Sequence, residues 1–141
     1  MVDFRGRYEH TVDDRGRVSL PARYRNEFRG GVIVQMGADG CIDVYTVADY
    51  EKQVAFLYQE PRHHRRGRRL RRGPTARCWD VELDRQGRIL IPLRLRQWAG
   101  VGSSVIVYGA TECLEIWEPQ RWQQEMAAID QSYEDDLETL P

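Results

Sequence analysis

The sequence predicts an α+β fold in which two pseudo-symmetric halves of one chain interleave short strands into a small β-barrel, with helices outside it. Three observations carry this. First, one text occurs twice. Asp13-Asp14-Arg15-Gly16-Arg17-Val18-Ser19-Leu20-Pro21-Ala22-Arg23-Tyr24-Arg25 is answered by Asp84-Arg85-Gln86-Gly87-Arg88-Ile89-Leu90-Ile91-Pro92-Leu93-Arg94-Leu95-Arg96, with Asp, Gly, Arg, Pro and two further Arg recurring at an offset of 71. An internal repeat sets the architecture before any other feature does. Second, the likeness continues: 37–45 matches 109–117 at an offset of 72, and Tyr50 answers to Trp122, so a one-residue indel separates the paired blocks. Third, each half holds only two short β-pairs, too few to bury both faces alone. The halves therefore have to share a core.

The elements follow in order. A short strand leads into a turn at 13–16, where Gly16 suits a left-handed turn residue and Asp13 accepts hydrogen bonds from the turn backbone. A second strand over 17–20 points Val18 and Leu20 to one side and Arg17 and Ser19 to the other. Pro21 suits a first helical residue and opens a helical turn through Phe28, ended by Gly30-Gly31. Residues 32–36 and 41–45 form a hairpin around 37–40. Thr46, with Asp49 three residues on, caps a helix over 47–59 whose apolar stripe is Val47, Tyr50, Val54 and Leu57. The linker spans 61–74, with a proline at each end and Arg between. The second half repeats the plan. Ile89 and Ile91 point inward, and Pro92 opens a short helix to Trp98, broken by Gly100 and Gly102. A hairpin uses 105–108 and 113–117. Pro119 opens a longer helix with Trp122, Met126, Ile129, Tyr133 and Leu137 on one face and an acidic run at Glu134-Asp135-Asp136. The resulting division is 1–60, first half; 61–77, Arg-rich linker; 78–141, second half with its C-terminal helix.

Composition bounds the function. The 141 residues suit one compact domain or two fused halves, and a half alone would be marginal. No run reaches the length of a membrane span, and no signal peptide opens at Met1. Three widely spaced cysteines, Cys41, Cys78 and Cys113, without a CxxC, argue against a disulfide framework or a zinc site and for a reducing cytosol. Net charge is −1 and predicts no partner by itself, but residues 62–77 hold eight Arg and no acid. That segment reads either as a solvated, partly disordered linker or as a contact to phosphates or to a neighbouring subunit's acidic C-terminal helix. All basic residues but Lys52 are Arg. A GC-rich genome accounts for this as well as phosphate and base recognition does. His63 and His64 read as adjacent residues pointing apart with no third ligand, so no metal and no cofactor is expected. Trp98, Trp117 and Trp122 read as core and helix packing, or as subunit contact.

The repeated Asp-x-x-Gly-Arg element carries the chemistry. Asp and Gly belong to the turn, but turn geometry does not require the Arg. Arg17 and Arg88 stand at the base of a protruding hairpin with Asp13 and Asp84 across the turn, where a carboxylate can hold a guanidinium in one rotamer. Arg15 and Arg85 sit at the turn tips. Arg5, Arg7, Arg23 and Arg25 lie nearby in sequence. A β-ribbon bearing oriented Arg fits a DNA major groove, where Arg reads guanine O6 and N7. Asp13 and Asp84 are poor general acids, because a neighbouring Arg lowers their pKa. With no phosphate-binding Gly loop and no G-x-S-x-G, the chain does not read as an enzyme.

Phe4-Arg5-Gly6, the two Asp-x-x-Gly-Arg-φ-x-φ-Pro motifs (φ an apolar residue) and Leu114-Glu115-Ile116-Trp117 together resemble the MraZ family of bacterial transcriptional regulators over nearly the whole chain. The resemblance implies a double-split, swapped-hairpin β-barrel made by two AbrB/SpoVT-type half-barrels in one chain, with flanking helices. It implies binding of double-stranded DNA through Asp13/Arg17 and Asp84/Arg88. It also implies octamer-like homo-oligomeric rings on short G-rich direct repeats, and repression of the division and cell-wall gene cluster that includes the chain's own gene. The implied place is the cytoplasm at the nucleoid, with no membrane and no small-molecule substrate. Two departures from the family pattern are Arg77-Cys78-Trp79 and the basicity of 62–77. The alternative reading is a protein-interaction module, antitoxin-like, that holds a partner with the helix at 119–139. The copies are unequal: Ser19 faces out where Leu90 does in the second copy, and Arg15 precedes Gly16 where Gln86 precedes Gly87. The first copy is therefore expected to make the more important DNA contact.

Overall fold

The computed structural model describes residues 3–141; Met1, where no signal peptide is read, lies outside them. The strands are β1 (Arg7–Thr11), β2 (Arg17–Ser19), β3 (Val32–Met36), β4 (Ile42–Thr46), β5 (Cys78–Val81), β6 (Arg88–Leu90), β7 (Ser104–Gly109) and β8 (Leu114–Trp117). The helices are α1 (Val47–Val54), α2 (Arg65–Thr75), α3 (Leu93–Ala99) and α4 (Pro119–Glu138), with 3-10 helices at Ala22–Phe28 and Ala55–Gln59.

The fold is α+β with antiparallel pairing throughout. Six strands form one sheet in the order β1-β7-β8-β4-β3-β5, and β2 pairs with β6 as a separate two-stranded ribbon. The halves interleave. β1 of the first half lies on β7 of the second, β5 of the second lies on β3 of the first, and β4 meets β8 at the centre. The expected closure into a barrel is not present. β1 and β5 remain open edges of the large sheet. The physical reason is the shortness of β2 and β6: three residues each, they pair with one another, and among the described residues their backbone ladder to the β1 side is the isolated bridge Val12↔Val18, just past the end of β1. A ribbon held by one bridge caps the sheet rather than closing it.

The core lies between the ribbon and the inner face of the sheet. Val18, Leu20, Ile89 and Ile91 meet Val34, Ile42, Val44, Val107, Leu114 and Ile116, all fully buried. Period-2 alternation explains the membership: the odd residues of β2 and the even residues of β6 are excluded from it. Phe28 and Leu95 close its sides from the two short helices. On the outer face α1 covers Ile33 and Tyr45 through Tyr50 and Val54, and α4 covers Ile106 and Trp117 through Trp122.

Local signals account for the helix ends. The Thr46 hydroxyl accepts the Asp49 backbone N–H at 3.1 Å, as the cap reading requires. Glu118 caps α4 by accepting from the backbone of Gln120 and Arg121. Gly100 ends α3 with φ +69°. The helix expected over 47–59 is α-helical only to Val54 and continues as 3-10. The linker is not irregular: α2 runs through it. Arg and Leu are good helix formers, and the helix is anchored. Gly67 sits against the Pro61 carbonyl, and the Arg71 guanidinium donates to the carbonyls of Glu60, Gly67 and Tyr58. Trp117 and Trp122 are buried as expected, whereas Trp98 is 36 % exposed at the end of α3.

Candidate nucleic-acid interface

Both repeated turns fold the same way. In the first, the Gly16 N–H donates to the Asp13 carbonyl at 3.0 Å, and one Asp13 carboxylate oxygen accepts the backbone N–H groups of Arg15 at 3.0 Å and Arg17 at 2.9 Å. The second carboxylate oxygen accepts from Arg17 Nε at 2.6 Å. In the second turn, Gly87 donates to the Asp84 carbonyl at 3.0 Å. One Asp84 oxygen accepts from the backbone of Gln86 at 2.8 Å and Arg88 at 2.9 Å, and the other accepts Arg88 Nε at 2.9 Å. Gly16 and Gly87 have φ of +87° and +76°, the left-handed conformation that favours glycine. Each Asp thus shapes its turn with one oxygen and orients its Arg with the other.

The electrostatics match. The Arg17 backbone N–H, above all, holds the Asp13 carboxyl down at about 2, with its guanidinium adding to the effect. Asp84 is lowered in the same way by the Arg88 backbone N–H. Both are acceptors, not proton donors, at neutral pH.

β2 and β6 bring the two turns together. The register is Arg17↔Leu90, Val18↔Ile89 and Ser19↔Arg88. The repeat's pseudo-dyad therefore passes through the Val18–Ile89 pair. Those two side chains enter the core, so Arg17, Ser19, Arg88 and Leu90 share the opposite face. Arg17 and Arg88 are diagonal neighbours across the ribbon, about 7–8 Å apart at the backbone. They are close enough that Arg88 also reaches Asp13, at 3.7 Å. Arg15 and Arg85 are exposed at the two turn tips.

The turns are clamped across the dyad. Leu20 N–H donates to the Gly87 carbonyl at 2.9 Å, and Ile91 N–H to the Gly16 carbonyl at 3.0 Å. Arg25 donates through Nε to the Leu20 carbonyl and lies where a Cβ on Gly87 would be; Arg96 donates to the Ile91 carbonyl and occupies the matching place at Gly16. Each half's Arg thus covers the other half's turn glycine. The clamping role of Arg25 and Arg96 is not visible in the sequence, although their recurrence at an offset of 71 was a signal. Arg25, Arg29, Asp84 and Arg85 also line a shallow cleft beside the second turn.

The structure does not bring Arg5 and Arg7 to this face. Arg7 opens β1 and Asp13 follows its end, roughly 20 Å away at about 3.3 Å per residue. Arg5 lies 3.7 Å from Asp3 and Arg7 3.8 Å from Glu9, all four side chains exposed. His63 and His64 do not point apart: their rings meet edge to face at 4.3 Å. Elsewhere, Cys41, Asp43 and Glu115 bring donor atoms within 4.8 Å of one another on the outer face. Asp43 there already accepts from Gln35, and Glu115 from Trp117. Burial pushes both carboxyls up from their ordinary values.

The family model described as "MraZ protein, putative antitoxin-like" matches residues 4–73 and 78–140, one match per half. The chain is similar to a transcriptional regulator MraZ from Roseiflexus sp. (strain RS-1), 39% identical over 127 residues, which covers 90% of this chain and 89% of that protein. It is similar to one from Thermomicrobium roseum, 39% identical over 123 residues with 84% of each chain covered. A third, from Thermoanaerobacter pseudethanolicus, is 36% identical over 135 residues, covering 96% of this chain and 94% of the relative.

Proposed function

The chain belongs to the MraZ family, and from that premise we propose that it is a DNA-binding transcriptional repressor whose reading surface is the β2–β6 ribbon. The relatives' names support a role in transcription regulation. The observation that carries the rest is the meeting of Arg17 and Arg88, each held by its own Asp, on one exposed face of a two-stranded ribbon.

Such a ribbon fits the major groove. At Arg17, fixing the guanidinium through Nε leaves its two terminal nitrogens to fork onto guanine O6 and N7, whereas at Arg88 one terminal nitrogen also lies 3.7 Å from Asp13. Arg15, Arg85 and the Arg25–Arg29 cleft are placed to grip phosphates on either side. Leu90 presents an apolar surface opposite Arg17, suited to a thymine methyl. Among the described residues Arg17 pairs with Asp13 alone, while Arg88 is shared between Asp84 and Asp13. This supports the first copy as the more important reader.

The division into 1–60, 61–77 and 78–141 is a division of the repeat; the reading surface needs both halves. The remaining parts of the proposal are a homo-oligomeric ring, a G-rich direct-repeat operator upstream of the division and cell-wall cluster that includes its own gene, and a place at the nucleoid in the cytoplasm. A ring presenting many weak ribbons gains affinity for repeated sites through effective concentration. No catalytic role is proposed.

The test is a gel shift on DNA upstream of the chain's own gene, followed by footprinting. Arg17→Ala/Arg88→Ala is expected to abolish the shift with the fold intact by circular dichroism and the melting temperature only modestly lowered, because neither side chain enters the core and what is lost is the two part-exposed pairs with Asp13 and Asp84. A normal shift by the double variant refutes the ribbon as the reading surface. A second reading, a protein-interaction module, is favoured by one observation: Ile129, Tyr133 and Leu137 remain exposed along α4. A single stoichiometric partner recovered with no salt-sensitive DNA binding would select it.

A further inference from the structure

Helices α2 and α4 carry charges that neither helix accommodates by itself. α2 has Arg65 and Arg66 in its first turn, at the positive end of the helix dipole, with no acid there. Arg65, Arg69 and Arg72 follow at i, i+4 and i+7, an exposed stripe of like charge. Among the described residues none of the Arg of α2 has a carboxylate within ion-pair distance. The stripe is rigidly presented, since Gly67 and Arg71 dock the opposite face on the chain segment before it.

α4 is the mirror case. Trp122 and Met126 seat its first turns on the sheet. From Ile129 onward it exposes Ile129, Tyr133 and Leu137, at 37 %, 57 % and 49 %, beside Asp130, Glu134, Asp135, Asp136 and Glu138. Carboxylates crowd the negative end of its dipole, and its last turn has no base.

The two lie toward opposite edges of the sheet. α2 contacts β5, one edge, and α4 contacts β7, next to the other. Five strand spacings of about 4.8 Å put β1 and β5 roughly 24 Å apart. One copy thus offers a basic surface at one side and an acidic one at the other. We propose that the C-terminal half of α4 of one copy docks on the Arg face of α2 of the next, a head-to-tail contact between copies of this chain. Each helix end then receives the counter-charge it lacks, and the aliphatic stems of the Arg offer apolar surface to Tyr133 and Ile129. Unlike faces repeated around a rotation axis give a closed ring if the rotation closes. The inference rests on the oligomeric reading above and names its interface. Duplex DNA is the less favoured occupant of α2. Arg77 stands at the far end of β5 from the Asp84 turn, roughly 23 Å away at about 3.3 Å per residue, so a duplex seated on the ribbon does not lie along the Arg stripe.

The experiment is light scattering after size exclusion on the full chain and on two charge reversals, Arg65→Glu/Arg69→Glu/Arg72→Glu and Glu134→Lys/Asp135→Lys/Asp136→Lys. The wild type is expected as a defined oligomer larger than a dimer. Each reversal alone should fall toward the single-chain mass of 16.5 kDa, with circular dichroism and binding of one ribbon to a single-repeat probe retained. Mixing the two reversals should restore the wild-type mass, because acidic α2 then faces basic α4 and the reverse. An oligomer untouched by both reversals, or no recovery on mixing, overturns the interface and leaves the ring reading standing. Unchanged mass with a flatter salt dependence of DNA binding in the α2 reversal also overturns it and assigns α2 to phosphate. A wild type that is monomeric at micromolar concentration removes the ring reading itself, and the interface with it.

Discussion

Replacing Gly87 by Ala tests the cross-clamp that positions the candidate reading surface. Gly87 has φ +76°, where an L-residue costs about 1–2 kcal/mol. The new Cβ would also fall on the Arg25 guanidinium and its Cδ. Arg25 must then leave the Leu20 carbonyl, which it holds at 2.9 Å. A hydrogen bond from a charged donor contributes about 1.5–3 kcal/mol, and partial exposure brings this one down to about 1 kcal/mol. Gly87→Ala is therefore expected to cost about 2–3 kcal/mol. In an Arg25→Ala background only the backbone cost of about 1–2 kcal/mol remains, a coupling of about 1 kcal/mol. For a chain of this length each kcal/mol moves Tm by about 4 °C, so the single variant should melt about 8–12 °C lower. The assay is a double-mutant cycle by urea and thermal unfolding at fixed protein concentration, since oligomerisation shifts both midpoints. Equal cost of Gly87→Ala in the two backgrounds would show that Arg25 does not cover the turn, and the account of how the ribbon is held would fail.

Two further outcomes follow from burial. Ile89 is fully buried on the pseudo-dyad, and its neighbour Leu90 is 52 % exposed; Ile89→Ala should cost about 2–4 kcal/mol in urea unfolding and Leu90→Ala much less, the reverse order refuting the ribbon register. Burial raises the Glu115 carboxyl above the ordinary value of 4.5. The folded state therefore binds the proton more tightly than the unfolded state, and stability is lost as pH rises from 4.5 through the folded value. Glu115→Gln keeps an acceptor for Trp117 and removes that loss. Its melting temperature should match the wild type below pH 4 and exceed it at pH 7, and a gain of the same size at both pH values would refute the cause.

The local rules did most of their work within a dozen residues. The Asp-x-x-Gly turns, the Thr46 cap, the two hairpins and the split of Val18 from Arg17 were legible because each depends on neighbouring residues and a period of two or 3.6. The run 62–77 misled because charge alone suggests solvated chain, whereas Arg and Leu favour a helix once Gly67 and Arg71 have a surface to dock on. The barrel misled for another reason. Strands of three residues carry too little pattern to show whether their partner is β1 or β6. Arg5 and Arg7 were near the motif in sequence and lie at the far end of a strand in space.

From the sequence alone came the two copies, the turn chemistry, and an Arg in each copy that folding does not require, since these are written in adjacent residues. The tertiary structure alone decided that the copies face each other. It set Val18 against Ile89, let Arg88 reach Asp13, and laid Arg25 and Arg96 over glycines in the opposite half. Those pairings join residues some seventy positions apart. They arise from burying one shared core under a ribbon that neither half can form alone.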